Sequence, residues 1–180
     1  MSHKLTRREH IEEWFVRYSD DIYKFLVYYT RNRDVEDLVQ EVFMKAIRGY
    51  EKYEGRAQPK TWLFSIARNT AIDHERKKRY LSWLPDTWLK QIKSPDGTPE
   101  EIVGKQEENQ LLYASVQRLK PSYREVVILR GIKGLSPSET AEILQWSESK
   151  VNTTLHRALK TLQKSLGKET DVDGVINRVI

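Results

Sequence analysis

No cysteine occurs in the 180 residues, which excludes disulfide staples, cysteine-ligated zinc and thiol nucleophiles. Histidine is scarce as well. His3, His10, His74 and His156 show no paired spacing of the kind a metal site needs, so no metal and no other cofactor is expected. No apolar run approaches the ~20 residues that a membrane-spanning helix requires. The N-terminus is polar and charged and has no apolar stretch of the signal-peptide type, which makes a reducing cytoplasm the expected compartment.

What is present is positive charge, unevenly spread. The net charge is +5 and the sequence pI about 9.3. Between Lys60 and Arg79 six cations (Lys60, Arg68, Arg76, Lys77, Lys78, Arg79) face two anions, Asp73 and Glu75. Between Pro85 and Asn109 the balance reverses, with Lys90, Lys93 and Lys105 against six carboxylates. Two basic modules separated by an acidic stretch fit a partner that is itself anionic, with nucleic acid the first choice.

The first basic module is a helix-like run from Thr61 to Arg79. Trp62, Leu63, Ile66, Ala67 and Thr70 recur at helical spacing and form a core-facing stripe, leaving Ser65, Arg68, Asn69, Asp73 and Arg76 for other work. Arg76, Lys77, Lys78 and Arg79 then crowd the exit, where repulsion calls for an anion on a partner; the plain alternative is a solvated helix end complementing its own dipole. The second module lies between Gly134 and Lys160. Ser136, Pro137 and Glu139 form a capping box with proline at the first helical position, and Thr140, Ala141, Ile143 and Leu144 continue that helix. After Gln145 and Trp146, Ser147 caps a second helix with Val151, Leu155, Ala158, Leu159, Leu162 and Leu166 inward. Lys150, Asn152, Thr153, Thr154, His156, Arg157 and Lys160 are left outward or on its flanks. Two short helices with a tight turn and a polar, basic second member make a helix-turn-helix, whose second helix is narrow enough to enter a major groove; an ordinary helical hairpin is the alternative.

Upstream, Ile11, Trp14, Phe15, Tyr18, Ile22, Phe25, Leu26 and Tyr29 form one apolar helix face. Asn32 or Asp34 can cap a following helix with Val35, Leu38, Val39, Val42, Phe43, Ala46 and Ile47 inward. Gly49 to Pro59 breaks the pattern and carries Tyr50, Tyr53 and Arg56, which either hold an unstacked base or belong to the core; for Trp62 the core is the better reading. Ser94-Pro-Asp-Gly-Thr-Pro99 marks a linker. The fold class is therefore all-α: two small helical domains joined by a flexible linker, with domain one over residues 1–82, the linker over 83–108, domain two over 109–168 and a tail over 169–180.

Asp34-Val-Glu-Asp-Leu-Val-Gln-Glu-Val-Phe-Met-Lys45, Tyr53-Glu-Gly55, Thr61-Trp-Leu-Phe-Ser-Ile-Ala-Arg-Asn69 and Ile72-Asp73 resemble the second conserved region of bacterial RNA polymerase sigma factors of the extracytoplasmic-function (ECF) group, in the sigma-70 family. Gly134-Leu-Ser-Pro-Ser-Glu-Thr-Ala-Glu-Ile-Leu144 with Val151 to Ala158 resembles their fourth region, in the same order along the chain. The resemblance implies a factor that directs promoter recognition, DNA melting and transcription initiation, in a stress or cell-envelope response, and that has no catalytic residues and no small-molecule substrate. Its partners would be the polymerase core, through the beta-prime coiled coil and the beta subunit, promoter DNA, and a membrane-tethered anti-sigma factor. Glu36, Asp37, Gln40 and Glu41 would dock on polymerase. Arg56, Lys60, Arg68, Asn69, Arg76 and Lys77 would capture the minus-ten element as it melts. Lys150, Asn152, Thr153, Thr154, His156 and Arg157 would meet the minus-thirty-five element. Trp146 stands where such proteins often have glycine, and Asn152 and Thr154 where they often have basic residues, which bears on promoter sequence more than on DNA binding.

Two other classes use some of the same residues. A one-component repressor would pair the helix-turn-helix with a sensor domain and leave symmetric footprints without polymerase. A nuclease would gather Asp34, Glu36, Asp37 and Glu41 around a metal, but Glu36 points away from the face that the other three share.

Overall fold

The computed structural model describes residues 6–32, 34–53, 55–81, 107–131 and 135–166. These form seven α-helices: α1 (Arg7–Thr30), α2 (Glu36–Gly49), α3 (Pro59–Leu81), α4 (Glu107–Gln117), α5 (Pro121–Gly131), α6 (Pro137–Leu144) and α7 (Glu148–Leu166), with a 3-10 turn at Tyr50–Lys52. No strand occurs among the described residues. The linker core and the tail expected beyond Leu166 lie outside them.

The helices form where the sequence supplies both an apolar stripe and an end. At the start of α1, Thr6 Oγ1 accepts from Glu9 N–H, and Glu9 accepts in return from Thr6 N–H at 2.6 Å. This capping box satisfies two N–H groups that the helix cannot. The far end closes on Arg31 at φ 59, the left-handed conformation that usually falls to glycine, with its N–H bonded to Val27 O. α2 departs from expectation. Neither Asn32 nor Asp34 caps it: Val35 occupies that position with no side-chain bond, while Asn32 Oδ1 accepts from Asp34 N–H in a local turn just before it.

α1, α2 and α3 pack on one another around Ile22, Phe25, Leu26, Val35, Val42, Leu63 and Phe64, with the Phe25 and Phe64 rings edge to face at 5.5 Å. On α3 the buried stripe is Leu63, Phe64, Ala67, Thr70 and Ala71; Phe64 and Ala71 belong to it, whereas Trp62 and Ile66 sit at its half-buried edge. Two residues expected inside are partly outside: Phe15 is 46% exposed and Ile47 39%. Their stripes are wider than the cleft between α1 and α2, so each helix turns its outermost apolar position to the surface.

In the second bundle α7 packs on α4, α5 and α6 through Val151, Ala158 and Leu162, against Leu112, Val116, Ile128, Leu129, Ile143 and Leu144. α6 begins as expected, with Ser136 Oγ accepting from Glu139 N–H at 3.1 Å, Glu139 accepting from Ser136 N–H at 2.6 Å, and Pro137 in the first turn. Gln145 ends it at φ 56, and Ser147 Oγ accepts from Lys150 N–H at 3.2 Å to start α7. The turn between the two helices is thus fixed at both ends. Replacing Ser136 by Ala removes one cap bond and should lower stability by about 1 kcal/mol; urea unfolding followed by circular dichroism measures it, and an unchanged midpoint would contradict the cap's role.

Candidate nucleic-acid and polymerase interfaces

α3 is one rod with three faces. Leu63, Phe64, Ala67 and Ala71 turn inward, Thr61 and Arg68 turn towards the second bundle, and Asn69, Asp73, Arg76 and Tyr80 follow a three-or-four spacing along the exposed side. Arg76 bonds Asp73 at 3.1 Å on that surface, and Lys77 and Lys78 are exposed beside it. Exposed pairs of this kind hold their partners weakly, so the guanidinium is available to a phosphate.

The six residues expected at the minus-ten element are not equivalent. Asn69, Arg76 and Lys77 share the open surface at the C-terminal half of α3, and Arg56 is exposed in the loop before it. Lys60 lies low in the first turn, with its ammonium 2.9 Å from Asp21 of α1. Arg68 faces away from Asn69 and ion-pairs with Glu125 of α5 at 2.8 Å.

The loop aromatics pack mainly on one another. Tyr53 lies 4.7 Å from Trp62 and edge-on to Trp14 at 5.4 Å, and its hydroxyl donates to Ala57 O. The Tyr50 hydroxyl meets His10 Nδ1 at 2.6 Å. Gly55 takes φ 69 between them, which a side chain would strain. Half-buried and mutually stacked, these rings brace the loop that carries Arg56 against the core.

On α7, Lys150, Asn152, Thr153, His156 and Arg157 are exposed and Thr154 is half-buried. They surround the N-terminal half of the helix, the part a helix-turn-helix offers to a groove. Lys150 holds its ammonium 4.0 Å from the centre of the Trp146 ring, a cation–π contact across the turn. Nothing in the sequence pattern pointed to that pairing beyond the spacing of four.

Glu36, Asp37, Gln40 and Glu41 are all exposed along α2, with Glu41 tied to Lys45 at 2.7 Å. The pattern missed what completes their surface. Met44, 47% exposed, and Ile47 lie on the same side as Gln40, and Phe15 of α1 stacks edge-on over Phe43 at 4.8 Å beside them. The signal was that α2 carries more apolar positions than one stripe can bury. The result is an apolar strip rimmed by carboxylates, the composition of a protein-docking surface.

Two family models match the chain: Sigma-70 region 2 over residues 14–80 and Sigma-70 region 4 over residues 109–162. The ECF RNA polymerase sigma factor SigX of Bacillus subtilis (strain 168) is 40% identical over 155 residues, spanning 83% of this chain and 79% of that protein. YlaC, an RNA polymerase sigma factor of the same organism, is 33% identical over 175 residues, 95% of this chain and all of the relative. The chain belongs to the ECF sigma factors of RNA polymerase. As a sigma factor it binds the polymerase core and directs initiation at promoters, and it is not an enzyme. Two solved structures share its fold. The Bartonella quintana sigma factor RpoE, solved with the anti-sigma factor NepR, superposes with a TM-score of 0.71 at 22% identity over 89% of this chain and 99% of that one. CnrH, solved with the cytosolic domain of CnrY, gives 0.66 at 20% identity over 91% of each chain. Among the described residues no helix is long and apolar enough to cross a membrane.

Glu139 joins the two bundles of this sigma factor, accepting from Ser136 N–H and from Thr61 Oγ1 of α3 at 3.1 Å. Burial opposes its charge, but the bonds from Ser136 and Thr61 and the nearby Lys60 charge outweigh it and hold the carboxyl below its ordinary 4.5. A depressed value contributes stability in full above the ordinary one and loses it as pH falls through the folded value. Glu139→Gln should therefore be less stable than the parent at pH 7, with the difference narrowing as urea melts are repeated below pH 4.5; a pH-independent difference would contradict the ionised cap.

Proposed function

We propose that the outward row of α3, Asn69 with Arg76 and Lys77, holds the non-template strand of a melting minus-ten element, with Arg56 reaching it from the preceding loop. α7 enters the major groove of the minus-thirty-five element, where Asn152, Thr153, Thr154 and His156 meet base edges and Lys150 and Arg157 meet phosphates. The observation that carries this reading is one chain holding two exposed basic rows, each on a helix whose opposite face is fully committed to a core. Such a row is rigid before binding, which lowers the entropy lost on contact. The first row belongs to the half assigned to residues 1–82 and the second to the half assigned to residues 109–168.

No nucleotide is consumed in opening the strands. Bases that leave the stack regain contacts on protein, and each phosphate neutralised releases counterions, so binding weakens steeply with salt. The rim of Glu36, Asp37, Gln40 and Glu41 with Met44 and Phe15 at its centre docks on the beta-prime coiled coil, the apolar part giving affinity and the carboxylates giving orientation. The complex of the sigma factor RpoE with the anti-sigma factor NepR supports an anti-sigma partner for this chain too. The chain's site of action is the cytoplasm, where the polymerase it binds resides, and the membrane tether belongs to the anti-sigma partner. A stress or cell-envelope response is the corresponding physiological setting.

Reconstitution with bacterial core polymerase on a promoter library tests the whole reading. Run-off transcripts dependent on the protein are expected, and their absence would refute it. Met44→Lys should weaken core association at least tenfold, about 1.4 kcal/mol, by setting an unmatched cation in the apolar strip; unchanged affinity would move the docking surface elsewhere. Arg157→Ala should reduce minus-thirty-five binding and flatten its salt dependence by a slope of about 0.9, while sparing core association. Unaltered promoter affinity would overturn the orientation given to α7.

A further inference from the structure

The two bundles meet along a seam, α3 on α6 and α1 on α5. Where α1 ends against the turn from α4 to α5, two arginines converge on one oxygen. Arg31 Nη2 donates to Gln117 O at 3.1 Å, and Arg124 Nη1 reaches the same carbonyl at 3.5 Å. Arg31 is the left-handed residue that closes α1, and Arg124 lies in the first turn of α5. A carbonyl oxygen has two lone pairs and no net charge, whereas each guanidinium carries five N–H donors and a full positive charge.

Among the described residues neither guanidinium has a carboxylate within ion-pairing distance. Glu125 is taken by Arg68 at 2.8 Å and by the Tyr29 hydroxyl. Glu75 acts on Arg124 from α3, yet its Oε1 stays buried without a partner. Burial and the Arg31 charge push the Arg124 pKa down, and Tyr29, Glu75 and Glu125 do not offset them. Arg118 and Lys120, exposed on the same turn, add to the positive field.

Tyr113 adds a donor with no acceptor to meet. The residue is 8% exposed, its hydroxyl is buried with no hydrogen-bond partner, and the charges that act on that hydroxyl are those of Arg31 and Arg124. Tyr28, packed edge-on to it at 5.0 Å, holds a second buried hydroxyl without a partner. A buried donor left unmade costs free energy, and two like charges held side by side repel. The group therefore lacks an acceptor that brings negative charge. A carboxylate presents two oxygens in one plane, which a single guanidinium can fill. A terminal phosphate presents three oxygens and close to two charges near pH 7. A diester within a nucleic-acid strand has only two free oxygens and one charge.

We propose that Arg31, Arg124 and Tyr113 form a binding site for the terminal phosphate of a small phosphorylated molecule, with one phosphate oxygen accepting from each guanidinium and the third from the hydroxyl. The ligand enters from the side of Arg31, which is exposed. None of these residues belongs to the rows assigned to DNA or to the apolar strip on α2, so the site stands whether or not those assignments hold.

Pyrophosphate is the probe, titrated into the full chain without polymerase at an ionic strength held constant with sodium chloride. Calorimetry should show one saturable site per chain, weakened about tenfold or more by Arg31→Gln or Arg124→Gln and several-fold by Tyr113→Phe. Because a ligand that binds only the folded chain stabilises it, pyrophosphate should also raise the parent's urea midpoint. The sign of the Arg31→Gln effect separates a ligand site from a structural bond. Without pyrophosphate the variant relieves a repulsion, so its midpoint should match or exceed the parent's; in saturating pyrophosphate it should fall below it. A midpoint lowered equally in both conditions would reduce Arg31 to a bond on Gln117 O and overturn the site. Arg31 is exposed at a helix end, so its variant stays informative where Arg124→Gln unfolds. Binding unaltered by all three substitutions would put the anion elsewhere and refute the assignment. An oligothymidylate without a terminal phosphate distinguishes the sources. Displacement of pyrophosphate by it at equal phosphate concentration would make the ligand a strand's diester and overturn the small-molecule assignment, whereas failure to displace supports it.

Discussion

Leu63, Phe64, Ala67 and Ala71 form the contact on which the rest of the molecule is arranged, because the stripe they make on α3 is packed against both α1 and α2 and sets the rotation of the helix about its own axis. With 3.6 residues per turn, fixing that rotation assigns every other position on α3 to a direction. Asn69 and Arg76 must then face outward and Thr61 and Arg68 must face the second bundle. Loss of a buried ring such as Phe64 typically costs ~3–5 kcal/mol, a large share of the net stability of a small domain. The exposed row therefore inherits its precision from apolar packing a few ångströms away, and a change in the stripe would be felt as a change in binding.

Charge is used in two distinct ways. At the surface, pairs such as Arg76 with Asp73 and Lys24 with Asp20 sit in water, where they contribute little to stability and are easily exchanged for other anions. At the seam, Arg68 and Glu125 are mostly screened from solvent and each depends on the other, since removing one leaves a buried charge uncompensated. Burial also raises the pKa of the Tyr29 hydroxyl that bonds Glu125 to about 12, with the Glu125 charge adding to it. The same residue types thus stay exchangeable on one face of α3 and pair with the second bundle on another.

The helix-turn-helix was fully legible in the sequence because its ends are coded locally. Ser136, Pro137 and Glu139 lie within one turn, and their bonds depend on nothing distant. The α1 capping box of Thr6 and Glu9 is just as local, yet it carried no apolar run directly behind it to draw attention. At α2 the local code misled: Asn32 and Asp34 are good caps by type, but Asn32 spends its side chain on the turn and leaves the start to Val35, which is buried. Periodicity erred at the margins, at Phe15, Ile47 and Phe64, since a stripe names a face and leaves its width to whatever packs against it.

The chain's composition and periodicity by themselves determined an all-helical protein with two basic modules and the place of the helix-turn-helix, and the resemblance of its motifs pointed to the family, because each depends on residues within a turn or two of one another. Only the tertiary structure decided that Arg68 meets Glu125 and Thr61 meets Glu139, that Met44 and Phe15 surface beside Gln40, and that the two bundles share a seam. Those pairings join residues 57 and 78 positions apart or on different helices. Their existence follows from how three-dimensional packing orients each rod, a quantity that spacing along the chain does not encode.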